Sequence, residues 1–172
     1  MVRGRHEGGR PVTDTQVSVR HARPGDLPEV ARLAAEHAAY EKADPPSPGL
    51  ADRLHTLLFT TATPRLRCLV AEPADGTLVG YATCEPAIST WDGCEYLHMD
   101  CLYLRPGHRG LGLGPLLMDA VAAEARALGI AEIQWQTPVW NDGAIRFYRR
   151  QGARETDKLR FSRPSSSGPV GQ

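Results

Sequence analysis

The sequence predicts an α/β domain in which a mixed, mostly antiparallel sheet is flanked by helices. Two observations support this fold class. Short alternating segments surround an Asp-Gly turn in the first half of the chain, which is typical of an antiparallel hairpin. In the second half, a strand leads through a glycine-rich loop into a long amphipathic helix and then into another strand. A length of 172 residues suits one such domain.

The two ends of the chain differ from its middle in composition. Residues 1–15 are polar, glycine-rich and aperiodic, and residues 164–172 are rich in serine, glycine and proline. Segments of this composition bury too little apolar surface to become ordered. We therefore expect a disordered arm over 1–15, a single domain over 16–163 and a disordered tail over 164–172.

The first half of the domain alternates between strand and helix patterns. Pro24 and Asp26 are typical of a helix start, and the prolines after Asp44 require a loop. Asp75 and Gly76 form the turn between two strands. The predicted order is strand, helix, loop, helix and strand pair, over residues 17–20, 24–40, 44–49, 50–59, 68–72 and 78–83.

The pattern in the second half of the domain predicts strands that alternate with helices. Leucine and valine recur at helical spacing after Gly112, with Leu113, Leu117 and Val121 on one face. The predicted order is strand, helix, strand, helix and a last short strand, over residues 96–104, 112–128, 130–136, 142–151 and 159–162.

The composition is that of an ordinary globular protein and argues against several kinds of partner. Hydrophobic residues make up 41% of the chain, and 20 Lys and Arg balance 20 Asp and Glu. Zero net charge gives no attraction to nucleic acid or to a membrane surface. No apolar run is long enough to cross a bilayer, and the first residues lack the apolar stretch of a secretory signal. We expect a cytoplasmic protein with no nucleic-acid or membrane partner.

The four cysteines are Cys68, Cys84, Cys94 and Cys101. They form no C-x-x-C pair and no cluster with histidine, so the spacing favours free thiols over a disulfide framework. The same spacing predicts no metal site.

The most informative segment runs from Arg109 to Gly114 and reads R-G-x-G-x-G between a predicted strand and a predicted helix. Glycines let backbone amides approach a ligand closely, and a helix N-terminus carries partial positive charge, so this loop suits a pyrophosphate. A P-loop would need Gly-Lys-Ser/Thr where Pro115 and Leu116 stand. A Rossmann fingerprint would need G-x-G-x-x-G. The simpler alternative is a glycine-rich turn that only caps the helix.

Two separated motifs carry a resemblance to the GNAT superfamily of N-acetyltransferases. The loop at 109–114 resembles the coenzyme A loop of that superfamily. The pattern N-x-x-A-x-x-F-Y at 141–148, followed by Gly152 and Ala153, resembles its downstream signature. The resemblance extends over residues 17–162 and implies the GNAT fold, with acetyl-CoA as the cofactor.

Shorter blocks resemble two branches of this superfamily. Residues 39–41, 69–72, 89–91 and 140–141 are similar to the diamine (spermidine/spermine) acetyltransferases. Residues 95–103 and 135–138 are similar to bacterial aminoglycoside acetyltransferases of the kasugamycin-resistance type. Both branches imply a small cationic amine as the acceptor.

The resemblance also implies which residues hold acetyl-CoA. The backbone of Leu102, Tyr103 and Leu104 would pair with the pantetheine arm as an added strand does. The loop would hold the pyrophosphate. The charge would come from Arg109, the backbone amides from Gly110, Leu111, Gly112, Leu113 and Gly114, and a contact without a hydrogen bond from Pro115. The downstream motif would add contacts at Asn141, Ala144 and Tyr148.

Acyl transfer to an amine requires that the ammonium lose a proton and that the leaving thiolate gain one. In the resemblance, Asp100 falls where diamine acetyltransferases carry their general-base glutamate, and Tyr148 falls where the family protonates the thiolate. Aspartate is one methylene shorter, which favours a bridging water, and His98 on the same strand face would help to orient it. The alternatives are a solvated aspartate, a packing aromatic and a structural histidine.

Charge placement favours a cationic substrate. Residues 68–104 contain six acidic residues and no Lys or Arg, whereas arginine resumes at Arg105. The candidate substrate-binding residues combine positions aligned with the diamine branch and nearby acids and aromatics, and they are Tyr40, Glu41, Trp91, Asp92, His98, Asp100, Gln134, Trp135 and Gln136. As an alternative, Trp91, Trp135 and Trp140 could be core or dimer-interface residues. The resemblance implies a homodimer.

We therefore expect an acetyl-CoA-dependent N-acetyltransferase that acts by direct attack of the amine. The acceptor would be an aminoglycoside-type antibiotic, which would give resistance, or a polyamine. Two alternatives stay open, a protein N-terminal acetyltransferase and a non-catalytic, CoA-binding regulatory module. The presence of both Asp100 and Tyr148 favours an enzyme over the regulatory module.

Overall fold

The structure is a computed structural model that describes residues 17–163 and residue 165. The predicted arm over 1–15 lies outside the described residues, and so does the predicted tail over 164–172 apart from residue 165. The chain divides into two units, Met1–Gln136 and Thr137–Gln172. The domain bounds expected from composition, 16–163, stay a prediction.

The first unit contains a five-stranded sheet and three α-helices. The strands are Ser18–His21 (β1), Arg67–Glu72 (β2), Gly80–Ser89 (β3), Cys94–Leu104 (β4) and Ile133–Gln134 (β5). The helices are Leu27–Tyr40 (α1), Leu50–His55 (α2) and Leu113–Ala127 (α3). A 3₁₀ turn at Pro24–Asp26 precedes α1, and a π-helical turn at Thr56–Thr60 continues α2. The second unit contains the helix Asp142–Arg150 (α4).

The strands follow one another in chain order across the sheet, from β1 to β5. The pairs β1–β2, β2–β3 and β3–β4 are antiparallel, whereas β4 and β5 are parallel. The predicted mixed, mostly antiparallel sheet is therefore confirmed. The pairing of β5 with β4 is short, because it joins only Leu97 to Ile133 and His98 to Gln134.

Hydrophobic side chains cover both faces of the sheet. On one face, Val30 and Leu33 of α1 pack with Val70, Tyr81 and Tyr103, and Leu54 and Leu58 lie against the same cluster. The helix α3 contacts β1 to β4 and is not part of that cluster, so it covers the opposite face. Leu117 and Val121 are its fully buried residues, as the helical spacing predicted.

A cluster of ion pairs joins the end of β4 to α1. The Arg105 guanidinium contacts carboxylate oxygens of Glu29 and Glu36 at 2.7 Å each. The hydrogen bonds from Arg105 lower the pKa of the Glu36 carboxyl. Since Arg105 directly follows β4, these contacts fix the point where the strand enters the glycine loop.

The lengths of three predicted strands are corrected by the structure. The third strand runs to Ser89 rather than ending at 83, since its partner β4 continues beside it. The fifth has two residues rather than spanning 130–136, because the ladder to β4 stops at Gln134. The predicted strand over 159–162 is absent from the described residues. Leu159 and Phe161 there are largely exposed and have no ladder partner to order them.

No helix in the described part of the chain is long and apolar enough to span a bilayer.

Candidate active site

A β-bulge in the middle of β4 sets the position of Asp100. Thr83 is paired with Cys101 and Cys84 with Met99, so Asp100 is the extra residue between two consecutive pairs. A bulge of this kind bends the strand and turns the extra side chain away from the regular pleat. The Asp100 side chain is 58% exposed, although its neighbours Met99 and Cys101 are buried or half-buried.

Asp100 lines an open groove of about 470 Å³. The sheet contributes Thr83 and Glu85 of β3 beside Asp100, so two carboxylate residues from neighbouring strands line the same groove. The other wall is formed by α2 and the segment after it, through Leu54, Leu57, Thr61, Thr63, Arg65 and Leu66. Sequence reasoning noted Glu85 only as one of several acids and missed the other groove residues. The available signal was two leucines, Leu54 and Leu57, in the predicted helix over 50–59.

The contacts of Asp100 involve two neighbours on its own strand. His98 Nε2 lies 3.9 Å from Asp100 Oδ1, so the two side chains are neighbours, as predicted, although the bulge interrupts the regular pleat between them. The Cys101 thiol donates a hydrogen bond to Asp100 Oδ2 at 3.6 Å. Burial raises the pKa of Cys101 to about 11, so this thiol stays protonated at neutral pH and is a poor nucleophile.

The predicted residues at the end of α1 form a separate set of contacts. His37 Nε2 lies 3.3 Å from Glu41 Oε1, and His37 Nδ1 lies 3.3 Å from the Tyr81 hydroxyl. The Tyr40 ring carries the Arg109 guanidinium 4.3 Å from its centre. Tyr40 and Glu41 therefore lie at the end of the sheet where β4 enters the glycine loop, and neither lines the groove of Asp100.

One edge of β4 is open beyond its short pairing with β5. In the described chain, the ladder to β5 ends at His98, so residues 99–104 have a strand neighbour only on the β3 side. Arg105 N donates to Val79 O, so the backbone N–H and C=O groups of Arg105 point toward the β3 side. Because these groups alternate along a strand, those of Tyr103 also point toward β3. Leu102 and Leu104 therefore aim their backbone groups at the open edge. Of the three residues predicted to pair with pantetheine, Tyr103 is already engaged by β3.

The glycine loop has the conformation that an anion site requires. Gly110 and Gly112 have φ of +78° and +82°, a left-handed region that favours glycine. Gly112 is the N-cap of α3 and has no side chain to accept bonds from the first-turn amides, and that turn contains no acidic residue. A Cβ on Gly112 would meet open space within 4 Å. The loop therefore fits the pyrophosphate of acetyl-CoA, with first-turn amides as donors.

Arg109, which is predicted to supply charge to the pyrophosphate, contacts a backbone carbonyl and two aromatic rings. Its Nε donates to Leu104 O at 2.8 Å, and its guanidinium lies 4.3 Å from the centre of the Tyr40 ring and 5.6 Å from that of Tyr103. The arginine thus contacts an outward-facing carbonyl at the open edge of β4. Its charge remains at the base of the loop.

The remaining predicted substrate residues lie at scattered positions. Trp91, at the β3–β4 turn, is 94% exposed, so it is not a core residue, and Asp92 accepts a hydrogen bond from Ser89 in the same turn. Gln134 is opposite His98 in the sheet, and its amide donates to Glu132. Trp135 is half-buried and Gln136 is exposed. The lining of the groove includes none of these residues.

The second unit contains the downstream motif. The buried Asn141 is the N-cap of α4, where its Oδ1 accepts a hydrogen bond from Ala144 N at 3.2 Å. This local bond gives a structural reason for the spacing of Asn and Ala in the motif. Tyr148 is half-buried, and its ring centre lies 5.2 Å from that of Phe147.

A strand with an open edge, a left-handed glycine loop and a helix N-terminus fit the class of CoA-dependent acyltransferases. The sequence profile of the Acetyltransferase (GNAT) family matches residues 32–153, and the chain belongs to that family. It is therefore an N-acetyltransferase that acts on amines and uses acetyl-CoA.

Three comparisons illustrate this membership. The chain is 31% identical to thialysine N-epsilon-acetyltransferase of Bos taurus over 146 residues, which cover 81% of this chain and 85% of that protein. It is 28% identical to spermidine/spermine N(1)-acetyltransferase-like protein 1 of Homo sapiens over 85% of this chain and 22% of that protein. An aminoglycoside N-acetyltransferase solved with CoA has the same fold, with a TM-score of 0.75 at 18% identity over 90% of this chain and 99% of that chain.

Proposed function

We propose that this enzyme acetylates a terminal amine of a small substrate that carries at least two amino groups. The observation that supports this is the pair of carboxylates, Asp100 and Glu85, in one groove of about 470 Å³. Each carboxylate suits one ammonium group. Polyamines and aminoglycoside-type antibiotics, the acceptors expected from the sequence, both meet this requirement, and the similarity to polyamine and thialysine enzymes agrees with it.

Several groups of this chain would hold acetyl-CoA. The backbone of Leu102 and the N–H of Leu104 at the open edge of β4 would pair with the pantetheine arm, since Leu104 O already accepts from Arg109. The amides after Gly112 would bind the pyrophosphate. Arg109 would add positive charge beside them. When bound, acetyl-CoA supplies the acetyl group as a thioester, whose C–S bond breaks as the C–N bond to the amine forms.

Asp100 is proposed as the general base. An aliphatic ammonium with a lysine-like pKa costs about 4–5 kcal/mol to deprotonate at pH 7, so a positioned base is useful. Asp100 would take that proton directly or through a water, and the exposure of its carboxylate leaves room for either route. His98, 3.9 Å away, would orient the water.

Tyr148 is proposed as the general acid that returns a proton to the departing sulfur. This role is carried over from the family motif at 141–148. The Asn141 cap fixes the first turn of α4, and Tyr148 lies in the last part of the same helix. No covalent intermediate with the enzyme is needed, since the amine attacks the thioester carbonyl directly.

The test is an acetyl-transfer screen in which thiol release is followed and the product is identified by mass spectrometry. The panel contains polyamines, aminoglycosides, basic amino acids, monoamines and a peptide with a free N-terminus. We expect acetylation of compounds with two or more amino groups and weak activity with monoamines. A preference for the peptide N-terminus, or equal rates with monoamines, would contradict the proposal.

A further inference from the structure

We infer that Arg65 makes this enzyme selective for a substrate with a carboxylate, a basic α-amino acid with a terminal amine. The inference rests on the proposed function and narrows its substrate class. Of the described residues that line the groove, Arg65 is the only cationic one, and it shares that groove with Asp100 and Glu85. Two negative groups and one positive group complement the two amines and the carboxylate of such an amino acid.

The contacts of Arg65 hold its guanidinium at the groove and leave some of its N–H donors available. Nη2 donates to Pro86 O at 2.5 Å and lies 3.6 Å from Glu95 Oε1. Both contacts use the same nitrogen, whereas a guanidinium has five N–H donors. Among the described residues, Nε and Nη1 have no protein acceptor, so each can donate a hydrogen bond to a carboxylate oxygen of a ligand.

The spacing along β3 suits a lysine-like chain. Pro86, which anchors Arg65, lies two residues beyond Cys84, which is about 7 Å along a strand. Asp100 lies opposite the step between Thr83 and Cys84. A lysine extends about 7 Å over the six bonds from its terminal nitrogen to its carboxyl carbon, as two residues of extended backbone do. The length of such a substrate therefore matches the backbone spacing between the position of Asp100 and the residue that anchors Arg65.

The same arrangement disfavours a pure polycation. A polyamine with its terminal amine at Asp100 and a second ammonium at the far end would bring that ammonium to Arg65, where like charges repel. The other interpretation is that Arg65 only neutralises Glu95. The Arg65 side chain is 58% exposed and that of Glu95 is 49% exposed, and exposed ion pairs contribute little to stability.

The experiment compares each amino acid with the diamine that lacks only its carboxylate. The pairs are L-lysine with cadaverine and L-ornithine with putrescine, and kcat/KM is measured for the wild type, Arg65→Gln and Arg126→Gln. Arg126 is an exposed arginine in the last turn of α3, so its variant removes the same charge away from the groove.

We expect the wild type to prefer each amino acid. Arg65→Gln should lower kcat/KM for the amino acids about tenfold to hundredfold, mainly through KM, and should leave the diamines unchanged or improved. Arg126→Gln should change neither member of a pair. Equal losses for amino acid and diamine, or no loss, would overturn the role of Arg65 while the proposed function stands. Activity with monoamines equal to that with all four compounds would overturn the proposed function itself.

Discussion

His98 Nε2 lies 3.9 Å from Asp100 Oδ1 even though a β-bulge interrupts the strand between Met99 and Cys101. The bulge makes Asp100 the unpaired residue of β4, so its carboxylate extends into an open groove instead of the core. A base in this position is accessible to both water and substrate. The geometry thus explains how an acid can occur in the middle of a buried strand without a buried counterion.

Replacing Asp100 by asparagine tests the base role through pH. We expect Asp100→Asn to lower kcat about a hundredfold at neutral pH, and the deficit to shrink as pH rises toward the pKa of the amine, where free base is abundant. The measurement is a pH–rate profile from about pH 6 to about pH 10 at two ionic strengths. The control is Asp75→Asn, a turn residue whose Oδ1 accepts from Thr77 N, as an asparagine oxygen also can. A deficit in kcat that stays constant with pH would assign deprotonation to another group.

Gly112 tests the anion loop. Gly112→Ala should weaken acetyl-CoA binding about tenfold, because a residue with a Cβ disfavours φ of +82° by roughly 1–2 kcal/mol and would distort the loop. The added Cβ would meet no protein atom, so it would lie in the open space through which the loop amides approach the ligand. Gly107→Ala is the matched control, because Gly107 also faces open space but has no left-handed φ. Calorimetry with acetyl-CoA measures both, and unchanged affinity in a folded Gly112→Ala protein would exclude the loop.

The acid role of Tyr148 predicts a specific kinetic pattern. Tyr148→Phe should reduce kcat about tenfold to a hundredfold and change the amine KM little, as expected for an interaction made in the transition state. Phe147→Leu removes the ring that packs beside Tyr148 and keeps the hydroxyl, so it should have the smaller effect on kcat. If both variants lose kcat equally under conditions where chemistry limits turnover, packing rather than proton transfer explains the motif.

An ion-pair cluster around Arg20 of β1 predicts how the stability of the fold depends on pH. Arg20 contacts Asp26 at 2.6 Å and Glu72 at 2.7 Å, and its hydrogen bonds lower the pKa of both carboxyls. The unfolded chain therefore binds more protons, so this stabilisation is present at neutral pH and is lost as pH falls from about 5 toward 3.

The test is urea unfolding at several pH values for the wild type, Arg20→Met and the control Arg126→Met. Arg20→Met should be less stable than the wild type at pH 7, and the difference should shrink in acid, because protonated carboxyls gain nothing from Arg20. Arg126→Met should show no pH-dependent difference. A wild-type advantage over Arg20→Met that is the same at both ends of the range would contradict the assignment.

Local patterns were enough to predict most elements of the fold. Helix spacing predicted α1 and α3, the Asp75-Gly76 turn predicted the β2–β3 hairpin, and the glycine spacing predicted a loop suited to an anion. These are short-range properties of the chain, set by periodicity, turn chemistry and backbone freedom. The fifth strand was harder to predict, because its length depends on how far it stays beside β4.

The sequence by itself determined the family, the cofactor and the candidate base and acid, because these are carried by residue types at fixed spacing. Only the tertiary structure revealed the bulge at Asp100, the open edge at Leu102 and Leu104, and the groove that joins Asp100 to Glu85 and Arg65. Register and bulges arise from pairing between distant segments, and a groove arises from side chains that are far apart in the chain. Strand spacing and packing decide these features, and no local pattern encodes them.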